Sequence, residues 1–169
     1  MFEDLASRGF LRDIVLGNIT DAENSTFLQS VFETNIDPNT VIVITIDNYR
    51  IKMYQKRQPE KQELRSKVLR CLEEACKAAD AMAVEIEEAL YAVVFEDPGN
   101  LDEGVENSKK LGCHIKKFIK DTTGISVSVG IGRRYEEMRH LTKSYKEALV
   151  ACKNKFYLGE GQVIHMDDI

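Results

Sequence analysis

Residues 125–169 read ISVSVGIGRRYEEMRHLTKSYKEALVACKNKFYLGEGQVIHMDDI, and this stretch decides the fold. From Ile125 to Val129 apolar and serine residues alternate, as in a strand with one face buried, until Gly130 and Gly132 break the pattern. A helix is expected over 136–154, with Met138, Leu141, Tyr145, Ala148, Leu149 and Cys152 on one face. Gly159 and Gly161 interrupt the chain, and residues 162–166 read as a last short strand. Strand, glycine turn, amphipathic helix and strand in one run imply a sheet with a helix laid across it.

Upstream, residues 102–121 carry Val105, Ser108, Leu111, Ile115, Phe118 and Ile119 at helical spacing, with lysines opposite and Gly124 suited to a left-handed position beyond the end. Residues 82–86 and 90–95 are two short strands separated by Glu87, Glu88 and Ala89, which predicts a hairpin. Residues 60–79 form a helical stripe, with Pro59 placed where a first turn accepts it. Val41 to Ile46 is β-branched and apolar on both faces, the pattern of a central strand. Before it, residues 4–17 and 22–34 predict a helix pair, followed by a turn at 35–39. The order from residue 41 is β-α-β-β-α-β-α-β, and its first six elements match the split βαβ, ferredoxin-like pattern. The expected class is α+β: an N-terminal linker helix pair over 1–37 and one domain over 38–169.

The 169 residues suffice for a real core, and a net charge of −5 argues against this chain gripping a phosphate backbone itself. No apolar run is long enough for a membrane span, and the acid-containing start lacks a secretory pattern. Cys71, Cys76, Cys113 and Cys152 show no CxxC pair and read as reduced fillers, so the expected compartment is the cytoplasm. Cys71 and Cys76, five apart on a helix, are expected on different sides.

The βαββαβαβ order, the Ser-Val-Gly-Ile-Gly stretch at 128–132 and the Ser-Tyr-Lys-Glu-Ala-Leu run at 144–149 resemble a GGDEF-type domain. The Gly-Ile-Gly-Arg-Arg-Tyr-Glu run at 130–136, Lys-Phe-Tyr-Leu-Gly at 155–159, Asp167-Asp168 and the stretch 10–17 resemble one branch more closely. That branch is the degenerate GGDEF-like middle domain of bacterial AraC-type and PucR/CdaR-type transcription regulators. The resemblance implies a fold used by cyclases that join two GTP molecules into a cyclic dinucleotide. Their catalytic loop lies in the hairpin between the second and third strands, with two glycines for phosphate approach and acidic residues for a divalent cation. Setting Tyr91 against the loop's Phe puts Glu87 and Glu88 at the glycines and Ala89 and Leu90 at the acidic pair. In the first strand Thr45 falls at the metal-binding Asp, Asp47 keeps the second Asp, and Met53 falls near the guanine-reading Asn. The resemblance therefore implies lost chemistry: no catalytic residues, no cofactor and no metal.

Other readings stand beside this one. Glu85, Glu87 and Glu88 with Asp47 form a cation set on paper, or else a solvated hairpin tip. Gly130-x-Gly132 is either a fragment of a phosphate loop or a turn between strand and helix. Arg133, Arg134, Arg139 and Lys143 form a basic partner-contact face, or a solvated one. Phe2, Leu5, Phe10, Leu11, Ile14, Phe27, Leu28 and Phe32 of the helix pair form an interface, or a cap on their own domain.

The expectation is a non-catalytic signal-relay domain of a bacterial AraC-type regulator, of the response-regulator kind. It self-associates as a homodimer or couples a sensor or receiver segment to a downstream helix-turn-helix domain, and the chain itself binds neither nucleic acid nor membrane. A small-molecule or nucleotide sensing domain is the alternative, and an active diguanylate cyclase the remote one.

Overall fold

The computed structural model describes residues 2–18, 37–97, 99 and 101–169. The helix expected at 22–34, with Phe27, Leu28 and Phe32, lies outside the described residues, as do the side chains of Phe2 and Leu5. A helix α1 spans Phe2–Leu16, and Gly17, at φ 82°, ends it; the Asn18 N–H donates to Asp13 O at 2.9 Å. Strand β1 (Thr40–Ile46) follows, then a short helix α2 (Tyr49–Lys52) and a long helix α3 (Gln58–Lys77) with Pro59 in its first turn. Strands β2 (Met82–Glu87) and β3 (Leu90–Phe95) form the expected hairpin, with a bulge between Glu85 and Glu87. Helix α4 (Leu101–Thr123), strand β4 (Val127–Ile131), helix α5 (Leu141–Lys153), a one-turn helix α6 (Lys155–Leu158) and strand β5 (Val163–His165) complete the order.

The strands form one five-stranded sheet in the order β2-β3-β1-β4-β5, antiparallel throughout except for the β4–β5 pair. Alternate residues of the central strand explain the two-sided core. Ile42, Ile44 and Ile46 face α3 and α4, where Val68, Leu72, Ile115 and Ile119 are buried. Val41 and Val43 face the other layer, formed by Leu11, Ile14 and Val15 of α1 and Leu141, Tyr145 and Ala148 of α5. An apolar run with no polar alternation is thus consumed on both faces.

Leu11, Ile14 and Val15 of the first helix are buried in the domain's own core, and Phe10 packs against the same cluster. Arg12 Nε donates to Ile86 O at 3.0 Å, and Arg8 pairs with Glu73 at 2.7 Å, so two polar contacts one turn apart tie the same helix to β2 and α3.

Cys71 and Cys76, five residues apart on α3, are both buried in one cluster, because α3 is covered by the sheet and by α4 and its buried arc is wide. One local expectation needs correction. The last long helix begins at Leu141, not at residue 136. Gly132 N–H donates to Val41 O at 3.0 Å and Tyr135 N–H to Asn39 O at 2.9 Å. The chain therefore keeps running beside β1 until a 3₁₀ turn at Met138–His140 leads into α5. No helix among the described residues is long and apolar enough to cross a membrane.

Candidate functional site

The end of β1 and the tip of the β2–β3 hairpin meet at one corner of the sheet. Thr45 and Leu90 are cross-strand partners, and Ile46 N–H donates to Ala89 O at 3.2 Å. Ala89 carries φ 63°, a left-handed conformation that lets two residues reverse the chain between Glu87 and Leu90. The positions that the resemblance assigns to the catalytic loop and to the metal-binding strand end, Thr45, Glu87, Glu88, Ala89 and Leu90, are therefore brought together in space.

Next to this corner a cleft of about 370 Å³ is lined by residues that include Tyr49, Arg50, Met53, Lys61, Glu87 and Glu88. Two sets of polar groups at and beside it are tied together. Tyr49 donates to Glu88 Oε1 at 2.6 Å, and Arg65 holds Glu85 through Nε (3.3 Å) and a second nitrogen (3.0 Å). Burial first, and then the bond to Glu88, pushes the Tyr49 phenol up to about 12, so it remains a donor throughout the neutral range. Glu85 and Glu88 are thus engaged by Arg65 and Tyr49, while Asp47 is turned to other partners. The four carboxylates do not converge, and among the described residues no group of three or more His, Cys, Asp or Glu side chains is arranged to hold a metal ion.

Asp47 is buried in a network of its own. Ser128 Oγ donates to Oδ1 at 2.6 Å; Ser126 Oγ and the Gly161 N–H donate to Oδ2 at 2.7 and 3.0 Å. The Lys155 ammonium lies 3.6 Å from Asp47 Oδ1 and donates to Thr45 Oγ1 at 3.1 Å. The divalent cation implied by the fold would need carboxylates at Thr45 and Leu90. In their place stand a hydroxyl and an alkyl chain, and a fixed ammonium occupies the hydroxyl's neighbourhood. These residues do not fit the ion.

Gly130 and Gly132 do not cradle an anion. A Cβ on Gly130 would sit 2.1 Å from Ala148 O, and one on Gly132 2.0 Å from Ser144 O. The glycines let α5 lie flush on β4, which is an architectural use.

The basic residues after β4 each have a separate engagement. Arg133 pairs with Glu147 at 2.7 Å and with Asp167 at 2.6 Å; Arg139 pairs with Glu137; Lys143 Nζ lies 5.0 Å from the centre of the Tyr135 ring. Arg134 instead reaches back to the Gly99 carbonyl. Beside them His165 is buried, and its Nδ1 accepts from the Asp167 N–H at 2.9 Å. Burial lowers its pKa, outweighing the nearby Asp167 and Asp168, while Lys109 and Arg133 add to the lowering. The unfolded chain therefore takes up this proton first as the pH falls, and the domain loses stability from about pH 6.5 downward. Urea midpoints measured from pH 7 to pH 5 are expected to fall for the native protein, and the slope to flatten in His165→Gln. An unchanged slope in that variant would reject His165 as the group responsible.

A model of the GGDEF-like domain family matches residues 36–153. The fold is similar to a domain of an EAL/GGDEF domain protein from M. capsulatus, at 14% identity and a TM-score of 0.61, covering 76% of this chain and 84% of that one. It is also similar to the active GGEEF domain of a diguanylate cyclase from Vibrio cholerae, at 12% identity and a TM-score of 0.58, covering 85% and 90%. The GGDEF domain of DgcB from Caulobacter crescentus, in complex with c-di-GMP, matches at 12% identity and a TM-score of 0.55, covering 86% of each chain. A comparison with curated proteins finds no match. At these identities the solved structures speak for the fold, whereas the family match runs from just before β1 to the last residue of α5, over more than half of the sequence. The chain belongs to the GGDEF-like domain family.

Proposed function

We propose that this chain is a non-catalytic regulatory domain of a bacterial AraC-type transcription regulator. In that reading it works in the cytoplasm and relays a signal between a sensor or receiver segment and a helix-turn-helix domain, through self-association or packing against its neighbours. The observation that carries the non-catalytic part is the Lys155 ammonium, 3.1 Å from Thr45 Oγ1 and 3.6 Å from Asp47 Oδ1. A cyclase must gather positive metal charge at that strand end to neutralise a triphosphate. Here a lysine already supplies the positive charge, and the facing Leu90 supplies no ligand. Glu87 and Glu88 add bulk and negative charge where a phosphate would have to lie against glycine backbone.

The regulator context is supported by the sequence runs at 10–17, 130–136 and 155–159. The purified chain, incubated with GTP and magnesium or manganese, is expected to release no pyrophosphate and to form no cyclic dinucleotide. Metal-dependent turnover of GTP by the native chain would overturn the reading.

A further inference from the structure

Away from the hairpin corner, a pocket of about 110 Å³ opens between the start of α4, the segment after β4 and the end of β5. Asp97, Ser108, Arg134, Tyr135 and His165 are among its lining residues. Two buried polar atoms of these residues have no hydrogen-bond partner among the described residues: Asp97 Oδ2, an acceptor, and Arg134 Nε, a donor. Asp97 is only 1% exposed.

The unpartnered oxygen is not the result of a loose side chain. Asp97 Oδ1 accepts from the Gly99 N–H at 2.9 Å and from Asn107 Nδ2 at 3.3 Å. The Asp97 backbone is clamped at both polar groups by Asn39, which accepts from its N–H at 2.9 Å and donates to its carbonyl at 3.1 Å. Gly104 keeps the other oxygen open, since a Cβ there would come within 2.7 Å of Oδ2. Arg133, next to Arg134, is already taken up by Glu147 and Asp167, whereas Arg134, which lines the pocket, uses one terminal nitrogen on the Gly99 carbonyl and leaves its Nε without a partner among the described residues.

Buried polar atoms without partners are rare and costly, and two of opposite character in one pocket require an occupant that donates at one end and accepts at the other. The strongest such contacts are charge-assisted on both sides. The volume is well below the roughly 300–1,000 Å³ of sites for drug-sized molecules, so a nucleotide does not fit. We propose that this pocket binds a small zwitterion, an α-amino acid of the size of glycine, alanine or serine, its ammonium on Asp97 and its carboxylate on Arg134. The site joins the ends of β3, β4 and β5 to α4, so its occupancy stabilises that end of the sheet. It does not depend on whether the hairpin corner is catalytic.

The test is calorimetry and thermal unfolding of the purified protein with glycine, alanine and serine, and with acetate and methylamine as probes carrying one end only. At least one amino acid is expected to bind saturably and to raise the Tm at about 10 mM, while acetate and methylamine bind about tenfold more weakly or not at all. Arg134→Gln, at a half-buried side chain, is expected to keep the circular dichroism spectrum and to weaken binding about tenfold or more. The absence of heat and of any Tm shift across the amino acids would mean that the pocket holds only water and would overturn the proposal. Equal binding by acetate or methylamine, or undiminished binding in Arg134→Gln, would overturn it as well.

Discussion

Gly130→Ala is expected to cost the domain about 3 kcal/mol or more, beyond the usual range for overpacking. The added Cβ would lie 2.1 Å from Ala148 O, 2.5 Å from Cys152 N and 2.7 Å from Cys152 Cβ. The two nearest atoms are backbone, so no side-chain rotation relieves the contact. Retreat of the strand is blocked, because β4 is hydrogen-bonded to β1 on one side and to β5 on the other. Retreat of the helix would open the layer in which Leu141, Tyr145 and Ala148 are buried. Gly132→Ala meets the same obstacle at Ser144 O and is expected to behave alike. Gly9→Ala is the control: it lies in α1 with nothing among the described residues within 4 Å of the new Cβ, and it should leave stability unchanged or raise it by up to about 1 kcal/mol. Urea unfolding of the three variants measures the effect. A Gly130→Ala protein within about 1 kcal/mol of the native one would refute so close an approach of strand and helix.

Asp47→Ala carries the second large effect, an expected loss of about 3–5 kcal/mol. The carboxylate is 1% exposed and gathers the end of β1, the start of β4 and the loop before β5 through Ser126, Ser128 and Gly161. Removing it leaves two serine hydroxyls without their acceptor, the Gly161 N–H with only Ser128 Oγ at 3.1 Å, and the Lys155 ammonium without its counter-charge. Lys155→Met is expected to cost less, since the three neutral donors to Asp47 remain. Denaturant midpoints give the two costs, and hydrogen exchange at Gly161 reports the loop directly, because its N–H is bonded to Asp47. An alanine variant losing about 1 kcal/mol or less, with Gly161 still protected, would show that the network is dispensable.

Asp47 also illustrates how much of the site was legible in the sequence. It stands out as the surviving member of an acidic pattern and suggests a relic of metal chemistry. The structure gives it another employment, as a buried acceptor for groups 79 to 114 residues away. No local pattern marks Ser126, Ser128 and Gly161 as its partners. The hairpin residues Glu87 to Leu90 were readable, because a turn with two short flanking strands lies within one short window. The Arg133–Lys143 face was readable only as composition. Its charges look alike in sequence, yet Arg133 is paired twice, Lys143 lies on a tyrosine ring and Arg134 turns inward. The start of α5 is not legible, because helical periodicity in the sequence does not reveal that Gly132 and Tyr135 are hydrogen-bonded to the β1 edge.

The sequence by itself determined the order of the strands and long helices from residue 41, the two-sided burial of β1 and the absence of carboxylates at Thr45 and Leu90, because periodicity, turn chemistry and residue identity are local properties. Only the tertiary structure decided that Thr45 faces Leu90, that Lys155 reaches Thr45 across 110 residues of chain, and that Asp97 and Arg134 open into one pocket. Those meetings depend on strand register and on how closely a helix can approach a sheet, and both are settled by packing the whole chain at once.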